Sequence, residues 1–444
     1  MECFRKHKKT SAFLLIFVMM VGFVGCEKRT MEESSAFSPS SESISSVEAI
    51  VDSSSEVAQV QVTPITEKKL VLRMVGDDLF HEPVVESGLQ PDGSYNFDHL
   101  YAHVKEDITA ADIGIINQET VLGGVGMGIS GYPTFNSPQE VGDAVVNAGF
   151  DVVQHANNHA LDKGYTGLET TMNYWAEKHP QITVVGVNQN QEERNTLRIY
   201  ETEGTKIAFL SYTTSTNGIP LPADKPWLVD MLVQEAVIAD ITAAKEQADF
   251  VVVLPHWGVE YSIEPSGEQR RTAQYMADAG ADLIIGTHPH VLEPVEWMAN
   301  SRGEQTLVYY SLGNFVSNQS RPARMLGGMA EITLNVTDEQ VAIESASLVP
   351  LVTHYERGNL QNSYTVYKLS EYNDELAAKN GVLKSETDDE GNPIPKTFTM
   401  AWLDNLAKTA LGDWYGGLGN PTPIMTPPPL EQDVQESIDT GAAA

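Results

Sequence analysis

FDVVQHANNHALDKG, residues 150–164, reads as a strand that stops in a polar tip and turns into a helix. Phe150, Val152 and Val153 form a short apolar run. His155, Asn157, Asn158 and His159 cluster where it stops, and Asp162 and Gly164 open a helical pattern. In α/β proteins the carboxyl ends of strands face an open crevice, so side chains placed there are free to do chemistry. The arrangement recurs along the chain. Asp77 follows LVLRMVG, Glu119 follows DIGIINQ, His256 follows DFVVVLP, and His288 and His290 follow ADLIIGT. Taken singly, Asp77 is a turn residue, Glu119 a loop carboxylate and each histidine a hydrogen-bonded core residue. Five apolar runs that each end in a metal-binding side chain point instead to one shared site.

Around that stretch, strand-like runs alternate with helical ones, which is the pattern of an α/β fold. Strands are expected at 69–76, 112–117, 150–154, 182–187, 207–212, 250–254, 283–285 and 306–310, and helices at 139–148, 165–178, 232–247 and 267–279. Two alternating runs, 329–336 and 341–349, predict an antiparallel hairpin. The stretch 353–414 reads as a C-terminal extension that is helical from Tyr364 to Trp414, broken by an acidic turn at 387–395. Residues 415–444, with five prolines between Pro421 and Pro429, have no core and read as a disordered tail.

The chain of 444 residues is long enough for a sizeable core, and 41% hydrophobic residues is ordinary for a globular protein. A net charge of −33 argues against nucleic acid, which needs basic patches, and suits a cation-binding protein outside the cytoplasm. The two cysteines, Cys3 and Cys26, precede the folded part, so no disulfide framework is expected. Residues 1–25 have the layout of a secretory signal: basic Arg5, Lys6, Lys8 and Lys9, then an apolar run from Ser11 to Val24. Gly25-Cys26 at its end resembles a bacterial lipobox, although Phe23 stands where leucine is favoured. That resemblance implies cleavage before Cys26, lipid on Cys26, and a protein held on the outer face of the cell membrane. Residues 26–68, rich in Ser, Glu and Thr, read as a flexible tether to a folded domain at 69–352.

MVGDDLFHEPVV, INQETVLGG, HANNHALDKGYTGL, PHWGVEY, IIGTHPHVLEPVE and YSLGNF occur in that order between Met74 and Phe315. They resemble the successive motifs of the poly-γ-glutamate capsule-synthesis protein A (CapA) family, one of the calcineurin-like metallophosphoesterases. The resemblance covers roughly Leu70 to Val349 and implies a four-layer α/β/β/α sandwich with a metal site at one edge. It places Asp77 at the first aspartate of the superfamily and Glu119 where the bridging aspartate stands. Asn158 and His159 match the Asn-His pair, His256 the lone histidine, and His288 and His290 the final pair. It thus implies one or two divalent ions (Mn, Zn, Fe or Mg) held by Asp77, Glu119, Asn158, His256, His288 and His290, with His159 as the catalytic acid. The first-block histidine is replaced by Leu79, and His81 is the nearest substitute. Trp257, Glu260 and Tyr261 are candidates for a substrate wall, Trp257 being more in keeping with core, and Asn314 is a further candidate in YSLGNF. Strand alternation is expected to send His288 and His290 to the same side, with Pro289 stiffening the turn.

Two functions remain in view. One is metal-assisted hydrolysis of an anionic envelope polymer or a phosphorylated precursor. The other is non-catalytic binding or guiding of polyglutamate within a membrane synthase or export complex. A solute-binding lipoprotein would share the anchor but would need no histidines at strand ends. If Cys26 carries the lipid, Cys26→Ala is expected to move the protein out of the membrane fraction. A Cys26→Ala protein that stays membrane-bound with its signal uncut would contradict the lipoprotein assignment.

Overall fold

Lys68–Asp78 (β1) is the central strand of one sheet, because both of its sides are paired. On one side lie the parallel strands Ile113–Gln118 (β2), Val152–Gln154 (β3) and Thr183–Val185 (β4). On the other lie the antiparallel strands Leu326–Val336 (β12), Val341–Glu356 (β13) and Ser363–Lys368 (β14). The short strand Asn314–Val316 (β11) pairs with the last residues of β1. A second sheet has the order Arg198–Thr202 (β5), Thr205–Thr213 (β6), Phe250–His256 (β7), Leu283–Ile285 (β8), Gln305–Tyr309 (β10) and Val295–Ala299 (β9). Strands β6, β7, β8 and β10 of this sheet are parallel. This computed structural model describes residues 67–415 apart from 388–390, 392 and 394. The expected signal peptide, the lipidation residue Cys26, the tether up to residue 66 and the tail beyond Tyr415 lie outside the described residues.

Alternation along the strands builds four layers. In β7, Phe250, Val252 and Leu254 join the core shared with the first sheet, while Val251 and Val253 join a separate core. β6 divides in the same way, with Ile207 and Phe209 on one side and Ala208, Leu210 and Tyr212 on the other. The separate core is closed by Val237 and Ile241 of helix Gln234–Lys245 and by Ala273 and Met276 of helix Gly267–Ala279. Ser266 starts the latter helix through a capping box with Gln269. Helices Glu140–Ala148 and Gly164–Lys178 cover the first sheet with Val141, Val145 and Trp175. The fold is an α/β/β/α sandwich, as the resemblance implies. The parallel strands β2, β3, β7 and β8 are buried on both faces, which is why their sequences read as near-continuous apolar runs.

The expected strands and long helices occur within a few residues of the expected positions. The C-terminal extension is a correction, since 353–414 is not helical throughout. β13 continues to Glu356 and β14 completes the sheet, because Tyr364 and Val366 alternate inward at period two. Among the described residues, only Asp374–Lys379 and Met400–Leu411 are α-helices there. Strands β5 and β9 went unread because they are antiparallel edge strands whose residues are mostly half-buried, so they lack a clear apolar run.

Two glycines let β11 lie against its neighbours. A Cβ on Gly76 would stand 1.9 Å from the Gly313 carbonyl oxygen, and one on Gly327 would stand 2.0 Å from that of Asn314. Both obstacles are backbone, so relief requires moving a strand. Gly76→Ala is therefore expected to cost about 1–3 kcal/mol or more in denaturant unfolding. Gly126→Ala, where nothing lies within 4 Å, should stay within about 0.5 kcal/mol of the parent. Equal midpoints for the two variants would contradict the close-approach argument.

Candidate metal centre

The parallel strands of the two sheets deliver their carboxyl ends to one place. Asp77, near the end of β1, pairs in register with Asn117 of β2 and Asn314 of β11. Glu119 follows β2, His256 ends β7, and Thr287 to His290 follow β8. Side-chain atoms of Glu119, His288 and His290 lie within 4.8 Å of one another, as do those of Asp77, Glu119 and His256. Glu119 belongs to both groups, the position expected of a bridging ligand. Asn158 joins them through its Oδ1, 2.9 Å from His256 Nε2.

Hydrogen bonds fix the ring orientations. His256 Nδ1 is 2.9 Å from Thr287 Oγ1, which leaves Nε2 toward the cluster, 3.5 Å from Glu119 Oε1. His290 Nδ1 lies 2.9 Å from Asp77 Oδ2 and 3.1 Å from Asn314 Oδ1, and its Nε2 is 3.9 Å from Glu119 Oε1. Asn314 is itself held, donating 3.0 Å bonds to Gln319 Oε1 and the Arg324 carbonyl. Partners of this kind set the tautomer and direction of metal-binding imidazoles. Asn117 donates to Asp77 Oδ1 at 2.8 Å, and the His288 backbone N–H approaches the same carboxylate at 3.3 Å.

The expected route for His288 and His290 needs correction. They do not alternate along a strand, because β8 ends at Ile285. Both adopt left-handed backbone, with φ of 101° and 59°. Residues other than glycine seldom take such angles without a cost of order 1–3 kcal/mol, which is typical where a site dictates the backbone.

The electrostatics of the cluster fit a cation. Glu119 is fully buried, and neither of its carboxylate oxygens accepts a hydrogen bond among the described residues. Burial first, and the adjacent Asp77 carboxylate second, push its pKa well above the ordinary glutamate value. Burial also lowers His256 far below the usual histidine range, and His288, His290 and His159 add to that effect. His288 is lowered to about 4, chiefly by burial and then by His290. Both rings are therefore neutral near pH 7, the form whose lone pair can bind a metal.

His159 stands apart from this cluster. Its Nδ1 is 2.7 Å from Asp162 Oδ2, which also accepts the Phe135 N–H at 2.6 Å. The Phe135 ring meets the imidazole edge-on, with centroids 4.6 Å apart. Asn157 anchors the tip by accepting the His159 N–H at 3.1 Å and donating to the Gln118 carbonyl at 2.9 Å. His159 opens onto a cleft of about 450 Å³ whose walls include His81, Tyr132, Asn217, Glu260 and Tyr261.

The structure thus brings together Asp77, Glu119, Asn158, His256, His288 and His290, with Asn314 supporting His290. It leaves His81 out of both ligand groups. His81 Nδ1 accepts the Asn318 N–H at 3.3 Å, its ring lies 5.2 Å from Phe135, and burial lowers its pKa to about 3. Glu260 lines the cleft. Trp257 is core: it is buried and donates from Nε1 to the Tyr310 carbonyl at 2.9 Å. Sequence reasoning missed Thr287, Asp162 as the partner of His159, and Asn217. Asp162 was open to discovery, since i,i+3 residues in a turn can meet. The other two act across sequence distances that no local pattern reports. His155, in the same polar tip, is structural, its Nε2 accepting from Trp175 Nε1 at 2.8 Å.

Comparison with known proteins identifies the family. The family described as bacterial capsule synthesis protein PGA_cap matches residues 71–319. The chain is 39% identical over 171 residues to the PGA biosynthesis protein CapA of Bacillus subtilis, covering 38% of this chain and 43% of that protein. It is 31% identical over 274 residues to the capsule biosynthesis protein CapA of Bacillus anthracis, covering 58% of this chain and 63% of that one. Both matches span less than two thirds of the relative. Among solved structures, the calcineurin-like phosphoesterase YfkN of B. subtilis aligns with 71% of this chain and 95% of its own, at 14% identity and a TM-score of 0.37. With more than half of its length matched by the family, and with that match running from β1 to just beyond β11, the chain belongs to the bacterial capsule synthesis protein family PGA_cap.

Proposed function

We propose that this protein is a metal-dependent hydrolase of capsule synthesis, acting on an anionic envelope polymer such as poly-γ-glutamate or on a phosphorylated precursor. The observation that carries this reading is Glu119, whose two buried, unbonded oxygens lie among neutral imidazoles beside a histidine–aspartate pair. Asp77, Glu119, Asn158, His256, His288 and His290 would hold one or two divalent cations. Such ions supply Lewis acidity toward a phosphoryl or carboxylate oxygen.

The chain's own residues account for the rest. Asp162 takes the Nδ1 side of His159, which fixes the ring and leaves Nε2 for the substrate. His159 is thereby suited to give a proton to the leaving group, the ester oxygen of a phosphorylated precursor or the amide nitrogen of a polyglutamate bond. Phe135 packs against the ring and limits its contact with water, which strengthens the His159–Asp162 attraction. A cation also stands near the cleft: the Arg324 guanidinium lies 3.3 Å from the centroid of the Tyr261 ring, and that ring lines the cleft wall. Its charge helps offset the repulsion between an anionic substrate and a chain of net charge −33. Anchoring through lipid on Cys26 at the outer face of the membrane would set this cleft where capsule polymer is exported, beside a membrane synthase or export complex.

His159→Ala should keep its metal and lose hydrolysis by ~10²–10⁴, the usual contribution of a general acid. A His288→Ala, His290→Ala double variant should lose metal and activity together. The assay pairs phosphoester and polyglutamate hydrolysis with metal content, with Mn²⁺, Zn²⁺, Fe²⁺ or Mg²⁺ supplied. A His159→Ala protein as active as the parent would overturn the mechanism. Metal bound without turnover of any substrate would favour a polymer-guiding role, the reading that the exclusion of His81 from the cluster also supports.

A further inference from the structure

The loop after β6 carries a residue that touches both the ligand cluster and the proposed acid. Thr214 N–H donates to the His256 carbonyl at 3.1 Å, tying the loop to the end of β7. Ser215 Oγ accepts the Asn217 N–H at 3.0 Å. Residues 216–219 then close a tight turn, with the Ile219 N–H bonded to the Thr216 carbonyl at 3.0 Å and Thr216 Oγ1 bonded to the Ile219 carbonyl at 2.6 Å. Asn217 and Gly218 sit at its centre with φ of 53° and 74°. Asn-Gly is the pair that accepts two successive left-handed residues at least cost. The side chain of Asn217 is thus presented to the cleft from a defined backbone rather than from a loose loop.

Among the described residues, its amide has one hydrogen bond, to Asn158, and one near neighbour, His159, whose Nδ1 is already bonded to Asp162. Oδ1 accepts from Asn158 Nδ2 at 3.2 Å, and Nδ2 lies 3.4 Å from His159 Nδ1. The first contact has a chemical consequence. The oxygen and nitrogen of an asparagine amide are nearly equal in shape, and only the oxygen can bind a cation. Asn158 must therefore be held with Oδ1 toward His256 and Glu119 and Nδ2 away from them. A partner that accepts from Nδ2 does this, because the reversed amide would set oxygen against oxygen at Asn217. His159 does not depend on Asn217 in the same way, since Asp162 already holds its Nδ1 at 2.7 Å.

We propose that Asn217 is a positioning residue of the metal centre, which fixes the Asn158 amide oxygen toward the cation. This rests on reading the strand-end cluster as that centre. The test uses Mn²⁺ titrated calorimetrically into the purified protein. Asn217→Gly removes the amide while accommodating the left-handed turn, and it should weaken Mn²⁺ binding by about 10- to 100-fold, the usual effect of losing a group that orients a ligand. Asn217→Asp keeps the acceptor for Asn158 Nδ2 and should restore most of that affinity. An Asn158→Asp background offers oxygen at both positions and needs no orientation, so adding Asn217→Gly there should cost little further affinity. Asn217→Gly binding as tightly as the parent would overturn the inference, and so would an equal loss in both backgrounds, which marks a general effect of the turn. If the parent binds Mn²⁺ and Asn158→Ala weakens it while Asn217→Gly does not, the metal centre stands and only the role of Asn217 falls. A parent that binds no divalent ion removes both.

Discussion

Glu119 lies at the junction of the two sheets with its carboxylate sealed from water and with no protein donor on either oxygen among the described residues. An isolated charge in that setting costs several kcal/mol, and a fold can sustain it only by protonating the group or by pairing it with a cation. The surroundings favour the second solution. His256 and His288 are held neutral by burial, Asn158 turns an amide oxygen inward, and Asp77 adds a second carboxylate. Without a cation, Asp77 and Glu119 repel, and the raised Glu119 pKa expresses that conflict. A cation held among these groups would relieve that conflict.

The remainder of the fold serves to bring these groups together. Parallel strands covered on both faces give rigid rows whose ends coincide, so six ligand candidates from five segments meet without help from long loops. The adjustments lie at the ends of those rows. Gly76 lets β11 approach β1 and place Asn314 beside His290, and the left-handed backbone at His288 and His290 turns both rings back toward Glu119. The His159–Asp162 pair lines the cleft beside Asn158 and His290, the place that the proposed proton donor needs.

Much of this was legible in the sequence. Buried parallel strands leave apolar runs that cannot be mistaken for surface, and a reactive residue after each run marks the edge where they end. The candidate ligands came from that rule together with the resemblance of the ordered motifs to the CapA family. What could not be read depends on contacts remote in sequence. Thr287 orients His256 from 31 residues away and Asn217 reaches His159 from 58. β14 escaped because Ser363–Lys368 is a short run at the sheet edge, half of it polar, where the periodicity of a strand and that of a helix are hard to separate. The left-handed turn at His288-Pro289-His290 was hidden for another reason: its conformation answers to the site rather than to local preference.

The central claim is that Glu119 is buried in order to hold a cation, and the most direct test is the metal content of the purified protein measured by elemental analysis after exhaustive dialysis, beside Glu119→Gln. The parent is expected to retain about one or two divalent ions per chain, as tight sites with three or more protein ligands do. Glu119→Gln, equally buried but uncharged, is expected to lose them while keeping its fold by circular dichroism. A well-folded parent that carries no metal and takes up none when Mn²⁺, Zn²⁺, Fe²⁺ or Mg²⁺ is supplied would contradict the account.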